Sequence, residues 1–262
     1  MCRILIEYSI VSRGTERYNN CGYMAISGIY DSCRYILNLD HNIRNATLSE
    51  GYLKAKSCYE ISNIVFSRFQ LITALLFERH KYKIDDNILI LGLGNVGVSC
   101  LIYLIDKGFK NITIYVRQLD NKIVELLKIL KKNYSVNIDV IDNLNKKNDF
   151  NTYIDTTGDS LVLKSIFENA GFNNTIIILS TPRDDKFLIS PLMINRKNLL
   201  IIGGHELNGV DKEKRQEIFE KILEANKNKK YLKKLINEYD FSDKRLKSIK
   251  QHKSNFIEMF KY

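Results

Sequence analysis

The stretch Gly92-Leu93-Gly94-Asn95-Val96-Gly97 constrains this chain more than any other. Asn87–Leu91 (NILIL) precedes it and reads as a buried strand, being aliphatic and rich in β-branched residues. Val96–Lys107 follows and reads as a helix, with Gly108 placed to close it. Three glycines in the pattern G-x-G-x-x-G, set between a strand and a helix, form a turn that accepts a phosphate. Gly92 permits the tight turn. Gly94 lets the backbone approach a pyrophosphate with no side chain in the way. Gly97 lets the helix pack close to the strand. The helix start then offers free N–H groups and a partial positive charge to the anion. Gly92, Gly94, Asn95, Val96 and Gly97 are therefore the expected phosphate-binding residues.

The pattern around the turn repeats. Asn111–Val116, Val136–Ile141, Thr152–Ile154, Thr175–Leu179 and Leu199–Ile202 read as further strands. Helices are expected between them, near Lys122–Lys132 with Asp120 as cap and from Asp159 or Ser160 to Ala170. Near-continuous apolar strands alternating with helices imply a parallel sheet covered on both faces. The expected fold class is α/β, with a doubly wound Rossmann sheet over residues 85–210.

Residues 1–84 read differently. Arg3–Tyr8, Tyr23–Ile29 and Arg34–Leu39 are short strand-like runs, consistent with a small antiparallel β-unit. Ile61–Arg79 is helical in pattern and bridges to the Rossmann domain. Residues 211–262 read as helices, Asp211–Asn226 and then stretches near Lys230–Glu238 and Ser242–Phe260, packing back on both domains.

Cofactor choice is read at the end of the second strand. A carboxylate there, roughly 20 residues past the glycines, binds the ribose 2′-hydroxyl of NAD. Here the strand ends Tyr115-Val116-Arg117-Gln118, without an acid. The guanidinium of Arg117 can clamp a 2′-phosphate bidentately, and Lys122 can add a second positive charge. NADP (NADPH) is the expected dinucleotide. The missing acid and the full glycine spacing both argue against an S-adenosylmethionine site.

Composition excludes several other classes. The formal net charge is +10, with much of the excess after residue 211. No aromatic-studded RNA motif or zinc finger accompanies it, so a solvated basic face is expected rather than a nucleic-acid site. Five cysteines, Cys2, Cys21, Cys33, Cys58 and Cys100, are an odd number without a CxxC pair. That points to free thiols and a cytoplasmic setting. No signal peptide is evident, and no uncharged apolar run approaches ~18 residues, so no membrane span is expected.

Beyond the turn, the chain resembles the medium-chain dehydrogenase/reductase (zinc-type alcohol dehydrogenase-like) superfamily. Ser12-Arg13-Gly14-Thr15-Glu16 resembles the family's N-terminal Cys-Gly-Thr-Asp segment, especially its zinc-lacking variant. Gly22-Tyr23 with Gly28 resembles the next catalytic-domain strand, and Thr73-Ala74 resembles a Thr-Ala on the helix before the Rossmann domain. Asp155-Thr156-Thr157-Gly158, Leu179-Ser180-Thr181-Pro182 and Ile201-Ile202-Gly203-Gly204 resemble three later strand ends. The resemblance covers nearly all of residues 1–225 and implies a truncated GroES-like unit in front of the Rossmann domain.

The resemblance also departs from the family. Arg13 stands where the catalytic zinc cysteine would, and the four-cysteine structural lobe is missing. Gly204-His205-Glu206 matches a zinc-ligand motif in spelling but lies after the sixth Rossmann strand. Tetrahedral catalytic zinc needs three converging protein ligands. Cys21, Cys33 and His41 are the only loose grouping, so zinc is not expected.

The resemblance places Thr73, Thr156, Thr157, Gly158, Ser180, Thr181 and Gly203 around the dinucleotide. Hydride transfer then needs positioning and a proton donor. Tyr23, His41 and His205 are the candidates for general acid or oxygen stabiliser. The implied activity is NADP(H)-dependent, zinc-independent hydride transfer, in a biosynthetic pathway. Its substrate would be a small carbonyl, an activated alkene or a dehydroamino acid, carried by a small molecule or a peptide. The alternative is a degenerate, non-catalytic Rossmann protein acting as nucleotide sensor or assembly partner. The resemblance further implies a homodimer paired through Leu199–Ile202.

Overall fold

A computed structural model describes residues 5–11, 24–38, 52–80, 82–144, 149–182, 188–205, 209–241 and 257–262. Two compact units partition the chain: residues 1–71 with 207–262, and residues 72–206.

The second unit carries the glycine turn. Its strands are β5 (Ile88–Leu91), β6 (Ile112–Tyr115), β7 (Ile138–Ile141), β8 (Thr152–Asp155), β9 (Thr175–Ile178) and β10 (Leu200–Gly203). They form one sheet in the order β10-β9-β8-β5-β6-β7, every pair parallel. Numbered from β5, that order is 6-5-4-1-2-3, the doubly wound plan. The strand order reverses between β5 and β8, and a ligand crevice belongs at the carboxyl ends there.

The helices of this unit are α2 (Asn95–Asp106), α3 (Asn121–Asn133), α4 (Ser160–Asn169) and α5 (Pro191–Lys197). Side chains alternate across each strand. Leu89 and Leu91 of β5 join Tyr153, Ile176 and the Val162, Leu163, Ile166 and Phe167 face of α4 in one buried cluster. Ile88 and Ile90 point the other way and are also buried, as a strand covered on both faces requires. Gly108 takes φ +87 just past α2, the left-handed conformation its place at the helix end needs.

The first unit holds a six-stranded sheet in the order β11-β12-β1-β2-β3-β4. Its strands are β1 (Ile6–Val11), β2 (Met24–Ser27), β3 (Cys33–Asn38), β4 (Leu53–Lys56), β11 (Ile236–Asp240) and β12 (Ile257–Lys261). The pairs from β12 through β4 are antiparallel, whereas β11 runs parallel to β12. Helix α6 (Lys212–Asn226) belongs to this unit. The edge strand β4 is closed by its Gln216 side chain, which accepts from Lys54 N–H at 2.9 Å and donates to Lys54 C=O at 2.8 Å. That leaves no free pairing edge at Lys54.

The α/β class and the doubly wound sheet agree with the sequence reading. The C-terminal region does not. Lys230–Leu235 is a 3-10 turn, and it leads into strand β11 rather than continuing as a helix to Glu238. The end of the expected Ser242–Phe260 helix is strand β12, with Ile257, Met259 and Phe260 buried. Residues 242–256 lie outside the described residues. The N-terminal β-unit is thus completed by the chain's last strands. At five residues, with Met259 and Phe260 adjacent and Glu258 buried, β12 carries too short and broken an alternation to mark a strand.

Helix α1 (Ile61–Arg79) is long and apolar enough, by length and composition, to cross a membrane. Most of it is buried within the protein, and its buried positions include Ser62, Asn63, Ser67, Arg68 and Gln70. Asn226 of α6 donates to Ser67 Oγ at 2.8 Å and to Gln70 Oε1 at 2.6 Å, so part of this polarity is used in helix packing.

Candidate functional site

The glycine turn leaves β5 at the switch point, and each glycine there answers a different demand. Gly92 has φ +92, and a Cβ on it would lie 2.8 Å from Thr157 Cγ2. At Gly97 a Cβ would sit 2.3 Å from the Gly92 carbonyl oxygen and 2.7 Å from Thr156 Oγ1. Gly97 is therefore fixed by the close approach of α2 to the end of β5. Gly94 is the opposite case, exposed with nothing within 4 Å of the Cβ position. Its lack of a side chain serves no internal packing and leaves room for a ligand.

Gly94 is also the N-cap of α2, and as glycine it brings no side chain to cap that helix. The other helices of both units from α3 onward each have one. Asp120 accepts from Ile123 N–H, Asp159 from Leu161 N–H, Ser190 from Met193 N–H and Asp211 from Lys214 N–H. The start of α2, with Asn95 and Val96 half-buried in its first turn, directs the partial positive charge of the helix toward the open side of Gly94.

The strand end beside it is built to meet this turn. Thr156 donates from Oγ1 to the Leu91 carbonyl at 2.8 Å and to the Gly92 carbonyl at 3.1 Å, tying the end of β8 to the turn. Asp155 is buried and accepts at Oδ1 from Thr157 N–H at 2.8 Å and Thr157 Oγ1–H at 2.6 Å. Burial pushes its carboxyl above the ordinary range, and the bonds from Thr157 and Gly158 oppose that shift. Gly158 has φ +62, and a Cβ on it would lie 2.3 Å from the Thr181 carbonyl oxygen and 3.1 Å from Ser180 Oγ. The Ser180 hydroxyl is buried without a hydrogen-bond partner. A hydrogen-bonding ligand at this spot would relieve it.

Gly92, Gly97, Thr156, Thr157, Gly158, Ser180 and Thr181 thus converge. Gly203 lies at the end of β10 with open space at its Cβ position, and His205 is exposed just beyond it. Lys122 is half-buried in the first turn of α3. Thr73 is fully buried in the second unit, near the buried Cys100 thiol of α2. Burial pushes that thiol up to about 12. Tyr23, His41, Cys2, Cys21 and the Ser12–Glu16 segment lie outside the described residues. Among the described residues, no group of three or more His, Cys, Asp or Glu is arranged to hold a metal ion.

Arg117 follows β6 as expected but is already engaged. Its Nη2 donates to Asp159 Oδ2 at 2.9 Å, the guanidinium being 65% exposed and the carboxylate 19%. Sequence reasoning sought an acid at the end of the second strand and found none. The fold supplies one from the β8–α4 turn. Its signal was the sheet order, which sets β8 and β6 on either side of β5, together with a cap residue next to Asp155-Thr156-Thr157-Gly158.

No family model matches the sequence, and no curated protein matches it significantly. Solved structures do. The YhdH oxidoreductase of Salmonella enterica, in complex with NADP, superposes with a TM-score of 0.73 at 12% identity, covering 99% of this chain and 90% of that one. Bacillus subtilis YhfP with NAD bound gives 0.72 at 11% identity, covering 99% and 90%. Galactitol-1-phosphate dehydrogenase of Escherichia coli gives 0.70 at 13% identity, covering 99% and 92%. The fold is that of the medium-chain dehydrogenases/reductases. The likeness extends over both units, so the strands contributed by residues 236–261 belong to it as much as the glycine turn does.

Proposed function

We propose that this chain is an NADP(H)-dependent, zinc-independent oxidoreductase. The observation that carries the reading is a glycine N-cap on α2, Gly94, with open space at its Cβ position, at the switch point of the parallel sheet. A pyrophosphate there meets N–H groups and a helix dipole. Fixed bonds from Thr156 hold the turn in that shape before any ligand arrives. Solved structures of the same fold hold NADP and NAD, which supports a nicotinamide dinucleotide. Arg117, at the end of β6, supports the phosphorylated form.

The dinucleotide, when bound, supplies the hydride chemistry. The chain's own residues do the rest. Gly92, Gly94 and Gly97 shape the phosphate turn, with Asn95 and Val96 in the first turn of the helix behind it. Thr157, Gly158, Ser180 and Thr181 lie at the neighbouring strand ends, where the buried, unpartnered Ser180 hydroxyl supports a role in holding the ligand. Proton delivery falls to Tyr23, His41 or His205, of which His205 stands at the end of β10. A small carbonyl, activated alkene or dehydroamino acid, free or within a peptide, is the substrate class. A cytoplasmic setting accords with the free thiols of Cys33, Cys58 and Cys100, and the pathway we propose is biosynthetic.

Fluorescence titration of NADPH tests the binding, and NADPH oxidation over a panel of carbonyls and enoyl compounds tests the chemistry. Turnover on one substrate class supports the reading. Tight binding with no turnover on any class would favour a nucleotide sensor instead.

A further inference from the structure

The ion pair between Arg117 and Asp159 spans the mouth of the crevice. In register, Leu91 of β5 pairs with Tyr115 of β6 on one side and Asp155 of β8 on the other. Arg117 lies just past Tyr115, and Asp159 just past Asp155. Neighbouring strands are ~4.8 Å apart, so these two strand ends are about 10 Å apart with the start of the glycine turn between them. The side chains close that gap to 2.9 Å. The bridge therefore crosses above the carboxyl end of β5, where a dinucleotide lies in a sheet of this order.

The two partners are not equally free. Asp159 is anchored by two hydrogen bonds besides the ion pair. Its Oδ1 accepts from Leu161 N–H at 3.0 Å, and its own N–H donates to Thr157 Oγ1 at 3.1 Å. Thr157 is in turn held by buried Asp155. Arg117 is the mostly exposed end of a long side chain. The carboxylate thus decides where the guanidinium stands.

We propose, resting on the cofactor reading above, that Asp159 is a specificity-determining residue that limits the preference for NADPH over NADH. A ribose 2′-phosphate has to share Arg117 with a fixed carboxylate and also feels that carboxylate's repulsion. A ribose 2′-hydroxyl meets no such conflict, because it can donate to Asp159. Together the pair makes this end of the crevice nearly neutral, although Arg117 alone would make it an anion site.

The test is titration of NADPH and NADH into the full chain and its Asp159→Asn, Arg117→Ala and doubly substituted forms, with thermal melts to confirm folding. Asparagine caps a helix as well as aspartate, so α4 keeps its start. An exposed ion pair of this kind is worth up to about fivefold in an equilibrium. Asp159→Asn should therefore tighten NADPH about fivefold without tightening NADH, and Arg117→Ala should abolish that gain in the double variant. An unchanged or weaker NADPH affinity in Asp159→Asn, while Arg117→Ala still weakens NADPH, overturns the proposal and leaves the cofactor reading standing. A gain that persists without Arg117 also overturns it. If the unsubstituted chain binds neither nucleotide, the cofactor reading fails first and the proposal falls with it.

Discussion

At the scale of single residues, the glycines separate structure from function. Gly97→Ala pushes a methyl into the Gly92 carbonyl and should cost about 2–3 kcal/mol of stability, read as a lower denaturation midpoint. Gly94→Val has open space and an ordinary φ of −76, and should cost under about 1 kcal/mol while removing dinucleotide binding. Asp155 gives a pH signature. Its carboxyl titrates above the unfolded value because of burial, so its stabilising share is complete below the unfolded pKa and is lost as pH rises through the folded one. Asp155→Asn stays neutral throughout and can accept the same bonds from Thr157. Its melting temperature should exceed that of the unsubstituted chain at neutral pH, with the gap closing toward pH 4. A gap independent of pH would contradict this. Gly92, Gly94 and Gly97 were legible in the sequence because the phosphate turn ties residue type to spacing. The pairing of Asp159 with Arg117 was not, since it depends on which strands lie side by side.

At the scale of elements, the helix ends carry most of the local information. Asp120 and Asp159 were readable as caps because an acidic N-cap is a local signal, and both accept the expected backbone N–H. The far end of α4 was read at Ala170, its C-cap, but what serves the carbonyls there was not. Lys197, from α5, places Nζ 2.7 Å from Ala170 C=O, 3.1 Å from Glu168 C=O and 3.3 Å from Phe167 C=O. A cation on carbonyls left open at a helix end supplies what the helix lacks. Lys197→Met keeps much of the side-chain length and should lose about 1–2 kcal/mol in chemical denaturation. No loss would mean that solvent serves those carbonyls equally well. Strands β11 and β12 escaped sequence reasoning for a related reason. Their partners, β12 for one and β1 for the other, are set by tertiary pairing and not by local pattern.

At the scale of the whole molecule, the first unit needs both chain ends. Strand β12 sits between β11 and β1, so removing residues 257–262 should expose the Ile10 and Val11 side of that sheet and lower solubility. We further propose a homodimer formed through β10, the edge strand of the second sheet, where Leu200 is 55% exposed. Leu200→Lys should shift the mass measured by light scattering from dimer to monomer. The doubly wound sheet was legible because each of its strands announces itself as an apolar run beside a turn. The six-stranded first sheet was only half legible, since two of its strands lie some 200 residues from the others. The central claim is that the turn at Gly92–Gly97 holds a nicotinamide dinucleotide, and calorimetric titration of NADPH into the full chain and into Gly94→Val tests it most directly. The account predicts saturable one-to-one binding to the unsubstituted chain and none to the folded variant. Equal affinity for both proteins would contradict it.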